Sequence, residues 1–246
     1  MGNLAEQRTE KRDRTERGYT YADYLTWKGN IRYEIIDGTA YAMAAPSRLH
    51  QKVSVELLRQ LANFLRGKSC EVYSAPFAVR LGIDSFDDTV VEPDLLVVCD
   101  ESKHDGKSVK GAPDLIIEIL SPFNTKHDTV TKARWYRKAG VREYWIVDPA
   151  TKTVQVCILA NGRYLISDYG DGDIISVHVL DGCEINLSEV FYDTIEATET
   201  ENENDEQLEL RNKIIQALKM SGVDMSDEQI EKAVKILDSG DYTNAN

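Results

Sequence analysis

Three stretches of this 246-residue chain read as strands with little room for water on either face. They are TVVEPDLLVVC (89–99), PDLIIEILS (113–121) and REYWIVD (142–148). Their apolar residues run on almost without interruption, the pattern of strands covered on both sides. Such strands need helices to cover them. Residues 47–67 carry Val53, Leu57, Leu58, Leu61, Phe64 and Leu65 at helical spacing, and Gly67 fits as the stop. Residues 124–140 read as a second helix, capped by Asn124 or Thr125 and ended at Gly140. The expected fold class is α/β, a mixed central sheet flanked by helices, with extra hairpins and a small C-terminal helical appendage.

Smaller elements fill in around these. CEVYSAPFAVRL (70–81) is a further strand candidate, and RYEIIDGTAYAMA (32–44) reads as a hairpin turned at Asp37-Gly38. Residues 153–180 suggest peripheral hairpins with Asn161-Gly162 and Asp171-Gly172 as turns. YTYADYLTWKG (19–29) predicts a short helix capped by Thr20, with Tyr21, Tyr24 and Leu25 facing inward. The expected division is a disordered charged arm over 1–18, one domain over 19–195, an acidic linker over 196–207 and a helical hairpin over 208–240. The second helix of that hairpin opens on a capping box of Ser226 and Gln229.

The chain has 29 basic and 42 acidic residues, so it carries no strong electrostatic footprint for nucleic acid. No apolar stretch approaches the roughly 20 residues of a membrane helix, and no membrane association is expected. The four cysteines (Cys70, Cys99, Cys157, Cys183) include no pair at zinc-ligand spacing and read as small buried hydrophobes. That reading implies a reducing, cytoplasmic location.

The chemistry concentrates in acids. Glu118 sits inside an apolar run, where a carboxylate costs several kcal/mol to desolvate unless a cation, a hydrogen-bond network or a metal ion satisfies it. Asp114 lies on the same strand face but about 13 Å away, too far to share one ion with Glu118. Asp94 lies on a different strand, and neighbouring strands are only about 4.8 Å apart, so Asp94 and Glu118 can converge. Two carboxylates that close repel unless a divalent cation lies between them, and all-oxygen donors suit Mg²⁺ or Mn²⁺.

Pro93-Asp94 followed about two dozen residues later by Glu118 resembles the PD-(D/E)xK nuclease superfamily. RYEIIDGTAYAMAAPS, VVEPDLLVVCD, GAPDLIIEILSP and KARWYRKAGVREYWIVDP together resemble its Uma-two branch of restriction-endonuclease-like proteins, over roughly 19–193. The resemblance implies a restriction-endonuclease-like fold with Asp94, Glu118 and Glu34 as metal ligands. The superfamily lysine, two residues after the glutamate, is replaced by Leu120. The resemblance instead places the lysine on the following helix at Lys132, with Lys126 as the alternative. His50 matches a family position and would stand behind the ligands; on its own it reads as a helix-surface or capping residue. Trp135, Tyr136, Tyr144 and Trp145 read as core.

These residues imply a Mg²⁺-dependent endonuclease acting on DNA, with Mn²⁺ as substitute; a homodimer is expected because double-strand cutting commonly needs two sites. One alternative is a catalytically inactive nuclease-fold module for binding or assembly, in which Glu118 and Lys132 form a salt bridge. Another is metal-dependent cleavage of RNA or a small phosphodiester.

Overall fold

The computed structural model describes residues 18–29, 31–82, 87–121 and 126–192, with the backbone alone for 126–130. The expected arm, acidic linker and C-terminal hairpin lie outside the described residues.

The chain forms a mixed α/β structure built on two principal sheets. The first has six strands in the order β11-β10-β9-β8-β6-β3. These are β3 (Glu71–Ser74), β6 (Leu95–Val98), β8 (Leu115–Ile119), β9 (Glu143–Asp148), β10 (Thr153–Ala160) and β11 (Arg163–Gly170). Its strands are antiparallel except for the β8–β9 pair. The second, in the order β2-β1-β5-β4-β7, holds β1 (Tyr33–Ile36), β2 (Thr39–Ala42), β4 (Ala78–Arg80), β5 (Val90–Val91) and β7 (Ser108–Lys110). β12 (Ile174–Ser176) and β13 (Glu184–Asn186) form a separate pair.

Among the described residues, four α-helices complete the fold: α1 (Tyr21–Tyr24), α2 (Arg48–Leu65), α3 (Lys126–Ala139) and α4 (Leu187–Val190). The Ser47 hydroxyl caps α2 by accepting from the His50 N–H. Parallel strands need a crossover, and α3 is the crossover from β8 to β9. It therefore starts near the end of β8 that carries Glu118.

Alternation along the strands divides the core in two. Leu95, Val97, Leu115, Ile117, Trp145 and Val147 face α2 through Val53, Leu57 and Leu61. Leu96, Val98, Ile116 and Tyr144 face the other way, onto Tyr136 of α3 and onto Val79, Val91 and Val109 of the second sheet. Glu118 and Ile116 are two residues apart, so Glu118 points into this second layer.

Several expectations change. Each of the segments 70–81 and 89–99 is two strands, broken at Ala75-Pro76 and at Glu92-Pro93-Asp94. Proline offers no N–H to a ladder, so both segments leave one sheet there and enter the other. The two crossings are tied together by the Ala75 N–H donating to the Asp94 carbonyl at 3.0 Å. Asp37-Gly38 and Asn161-Gly162 turn hairpins as expected, both at positive φ. Asp171-Gly172 does not, because β12 pairs with β13. Leu25, expected inward, is 54% exposed because α1 ends at Tyr24.

Cys70 and Cys99 are joined in a disulfide across the β3–β6 pair; only Cys157 and Cys183 are free and buried. The register explains the error, since Glu71 opposes Val98 and the next residues outward face each other. The bond removes the cysteine argument for a reducing compartment. No described helix is long and apolar enough to cross a membrane.

Thiol labelling tests the pairing. The denatured, unreduced chain is expected to expose two thiols and the reduced chain four; four thiols without reductant would contradict the bond.

Candidate active site

Four elements bring the acids together at the seam between the sheets. β1 supplies Glu34, β8 supplies Glu118 and the crossing segment before β6 supplies Asp94. α3 lays Lys132 and Tyr136, four residues apart on one helical face, over them. The register Leu95↔Ile117 continues to Asp94 opposite Glu118, so the two carboxyls share one side of the sheet.

The Lys132 ammonium is the centre of the cluster. Its Nζ lies 3.0 Å from Glu34 Oε1 and 3.0 Å from Glu118 Oε1. Glu118 Oε1 also accepts from the Tyr136 hydroxyl at 2.5 Å. Glu34 Oε1 accepts from the Glu92 N–H at 2.9 Å. Asp94 Oδ2 accepts from the Ile119 N–H at 2.8 Å and lies 3.1 Å from His50 Nε2. Glu34, Glu118 and His50 are buried. His50 is thus no surface residue: its ring stands behind Asp94, and its Nδ1 is buried without a hydrogen-bond partner.

Two carboxylates share one lysine here, with Asp94 close by, and the titration behaviour follows. Burial raises the Glu118 carboxyl, Lys132 pulls it down, and Asp94 and Glu34 push it up again, leaving it at about 7. Burial works against the Lys132 charge, but Glu118 and Glu34 outweigh it and hold the ammonium protonated, with its pKa above the usual lysine value. Burial, with Glu118 and Glu34 nearby, also raises the Tyr136 hydroxyl well above a free tyrosine, so it remains a donor.

Two residues beside the cluster escaped sequence reasoning. Tyr136 was assigned to the core, and it is fully buried, but its hydroxyl reaches Glu118. Its spacing of four from Lys132 was the available signal. Glu92, two residues before Asp94, is buried and accepts from Tyr24 Oη and Arg32 Nε. Its partners are some sixty residues away in sequence, and no local pattern reveals them.

Asp114 lies apart, as strand spacing requires, bonded to Arg142 and to the Cys99 N–H. Arg134 and Arg137 are exposed and lie about 200° and 140° round α3 from Lys132, away from the acids. The Lys126 side chain lies outside the described residues. Trp145 and Tyr144 are core, as expected.

The donor set fits a hard divalent cation in type and charge: carboxylate oxygens, with three acids against one lysine. Among the described residues, no group of three or more acidic, histidine or cysteine side chains is placed to hold a metal ion.

Residues 21–188 match the model of Uma2, described as putative restriction endonuclease. The chain belongs to the Uma2 family. An uncharacterized protein, slr1290, of Synechocystis sp. (strain ATCC 27184 / PCC 6803 / Kazusa) is 27% identical over 166 residues, 66% of this chain and 82% of that one. The fold is similar to the crystal structure of a putative nuclease belonging to DUF820 from Anabaena variabilis ATCC 29413. The TM-score is 0.58 at 18% identity, covering 70% of this chain and 97% of the other. Every residue of the Uma2 chain's acid–lysine cluster falls inside the matched segment.

The raised Glu118 pKa predicts a pH dependence in metal-free protein. A carboxyl whose folded pKa lies above its unfolded value stabilises the fold most below the unfolded value, near 4.5, and loses that contribution as pH rises through about 7. Denaturant melts of wild type and Glu118→Gln should therefore diverge across that window, with the variant gaining relative stability as pH rises. Parallel curves from pH 4 to 8 would contradict the assignment.

Proposed function

We propose that this Uma2 protein is a metal-dependent nuclease that hydrolyses phosphodiester bonds of DNA. The observation that carries the reading is Lys132 held between Glu34 and Glu118, with Asp94 beside them. Asp94 and Glu118 would hold Mg²⁺ or Mn²⁺, with Glu34 as a further ligand. When bound, the ion supplies charge neutralisation at the phosphate and a more acidic water.

The chain's own residues divide the remaining work. Lys132 is kept protonated by its two acids and donates to a phosphoryl oxygen as negative charge builds there. Tyr136 fixes the rotamer of Glu118 by donating to Oε1, and the Ile119 N–H fixes Asp94. The Glu92 N–H anchors Glu34, which in turn positions the lysine. His50 backs Asp94 from the side of α2.

A second reading has a specific observation behind it. The Glu118–Lys132 ion pair is what an inactive nuclease-fold binding module would keep, and removing one partner of such a buried pair costs about 3–5 kcal/mol. In that reading the cluster serves stability alone.

Cleavage assays on double-stranded DNA, single-stranded DNA and RNA separate the two. With Mg²⁺ or Mn²⁺ the wild type is expected to cut DNA, chelator to stop it, and Asp94→Asn or Glu118→Gln to lower the rate at least about a hundredfold. Cutting of RNA alone would move the substrate class. No cutting of any substrate, or undiminished cutting by both variants, would support the binding module.

A further inference from the structure

The six-stranded sheet ends on one side at β11, eight residues from Arg163 to Gly170. Its inner neighbour β10 pairs with it along its full length without a bulge. Among the described residues, no strand pairs with its outer edge. Two large apolar side chains at its centre stand in solvent, Leu165 at 62% and Ile166 at 57% exposure. They are consecutive, so one lies on each face of the sheet.

The backbone groups on that edge can be assigned. The two-residue turn Asn161-Gly162 closes on the pair Ala160↔Arg163, so Arg163, Leu165, Ser167 and Tyr169 exchange hydrogen bonds with β10. The N–H and C=O groups of Tyr164, Ile166 and Asp168 therefore point outward. Gly170 shares their parity and confirms it. Its N–H donates to Asp173 Oδ2 at 2.8 Å and its carbonyl accepts from the Asp173 N–H, both away from β10. The turn closes the edge at Gly170 and leaves three residues open.

Exposed edges of this length are normally blunted by proline, lysine or a bulge. β11 has none of these. The opposite edge, β3, is half as long and carries the Cys70–Cys99 disulfide at its end.

We propose that β11 is a homodimer interface, at which a second copy adds its own β11 antiparallel and joins the two six-stranded sheets into one. A two-fold axis normal to the sheet through Ile166 satisfies every open group. Tyr164 exchanges both backbone bonds with Asp168 of the second copy, Ile166 with Ile166, and Asp168 with Tyr164. Ile166 then meets its own copy directly, and Leu165 meets its own copy diagonally. The occupant follows from charge as well. The strand is basic at its start, at Arg163, and is followed by Asp171, whose carboxylate lies 3.9 Å from the Lys152 ammonium; Asp168 has the opposite parity to Arg163 and lies on the other face. An antiparallel copy brings Arg163 to the end of the strand beyond which Asp171 lies, whereas a parallel one would set Arg163 against Arg163. The interface stands independently of the chemistry at the acid–lysine cluster.

Sedimentation equilibrium of the full chain, with amide hydrogen exchange at Tyr164, Ile166 and Asp168, tests the interface. The expected result is twice the 27.8 kDa chain mass with all three amides protected. Ile166→Pro removes only an outward N–H and should halve the mass and release the protection. Ile166→Lys, which leaves the backbone intact, should do the same if the proline variant fails to fold. A monomeric wild type with open amides would overturn the proposal. So would a monomer with protected amides, which would assign the edge to another segment of the same chain. A dimer unchanged in a folded Ile166→Pro or Ile166→Lys variant would also overturn it.

Discussion

One ammonium group joins the two sheets of this molecule. Lys132 reaches from α3 to Glu34 on the second sheet and Glu118 on the first. Burying two carboxylates and a lysine is unfavourable group by group, and only their mutual placement offsets it. The glutamate in the middle of PDLIIEIL is therefore held by a lysine fourteen residues on and a tyrosine eighteen on. The lysine does not neutralise the set. Burial, with Asp94 and Glu34 close by, outweighs Lys132 and pushes the Glu118 carboxyl up to about 7. A divalent cation would relieve that excess.

The prolines determine how the acids reach the seam. Pro93 ends the stay of the chain in one sheet and releases Asp94 at the start of the next strand, directly across from Glu118. Pro76 makes the reverse passage, and the hydrogen bond from Ala75 to Asp94 locks the two passages together. The Pro-Asp pair thus has a structural meaning beside any chemical one. It is the place where a strand must stop, and a side chain there is free of the ladder.

The sequence made the site more legible than the sheet arrangement. Apolar continuity gave β6, β8 and β9, helical spacing gave α2 and α3, and strand spacing alone paired Asp94 with Glu118 and set Asp114 aside. Lys132 came from the family resemblance, and the position of α3 after β8 explains why a helix residue can serve. Long-range partners were hidden. Glu92 finds Arg32 and Tyr24 sixty or more residues away, and His50 reaches Asp94 across 44 positions that no periodicity connects. The Cys70–Cys99 bond was missed for the same reason, since it depends on a strand register that local pattern does not reveal.

Calorimetric titration of Mn²⁺ into chelator-treated protein tests whether the acids around Lys132 form the proposed cation site. The wild type is expected to bind one or two ions at neutral pH and Glu118→Ala none. No binding by either protein, with the variant markedly less stable, would show that Glu118 is only the structural partner of Lys132.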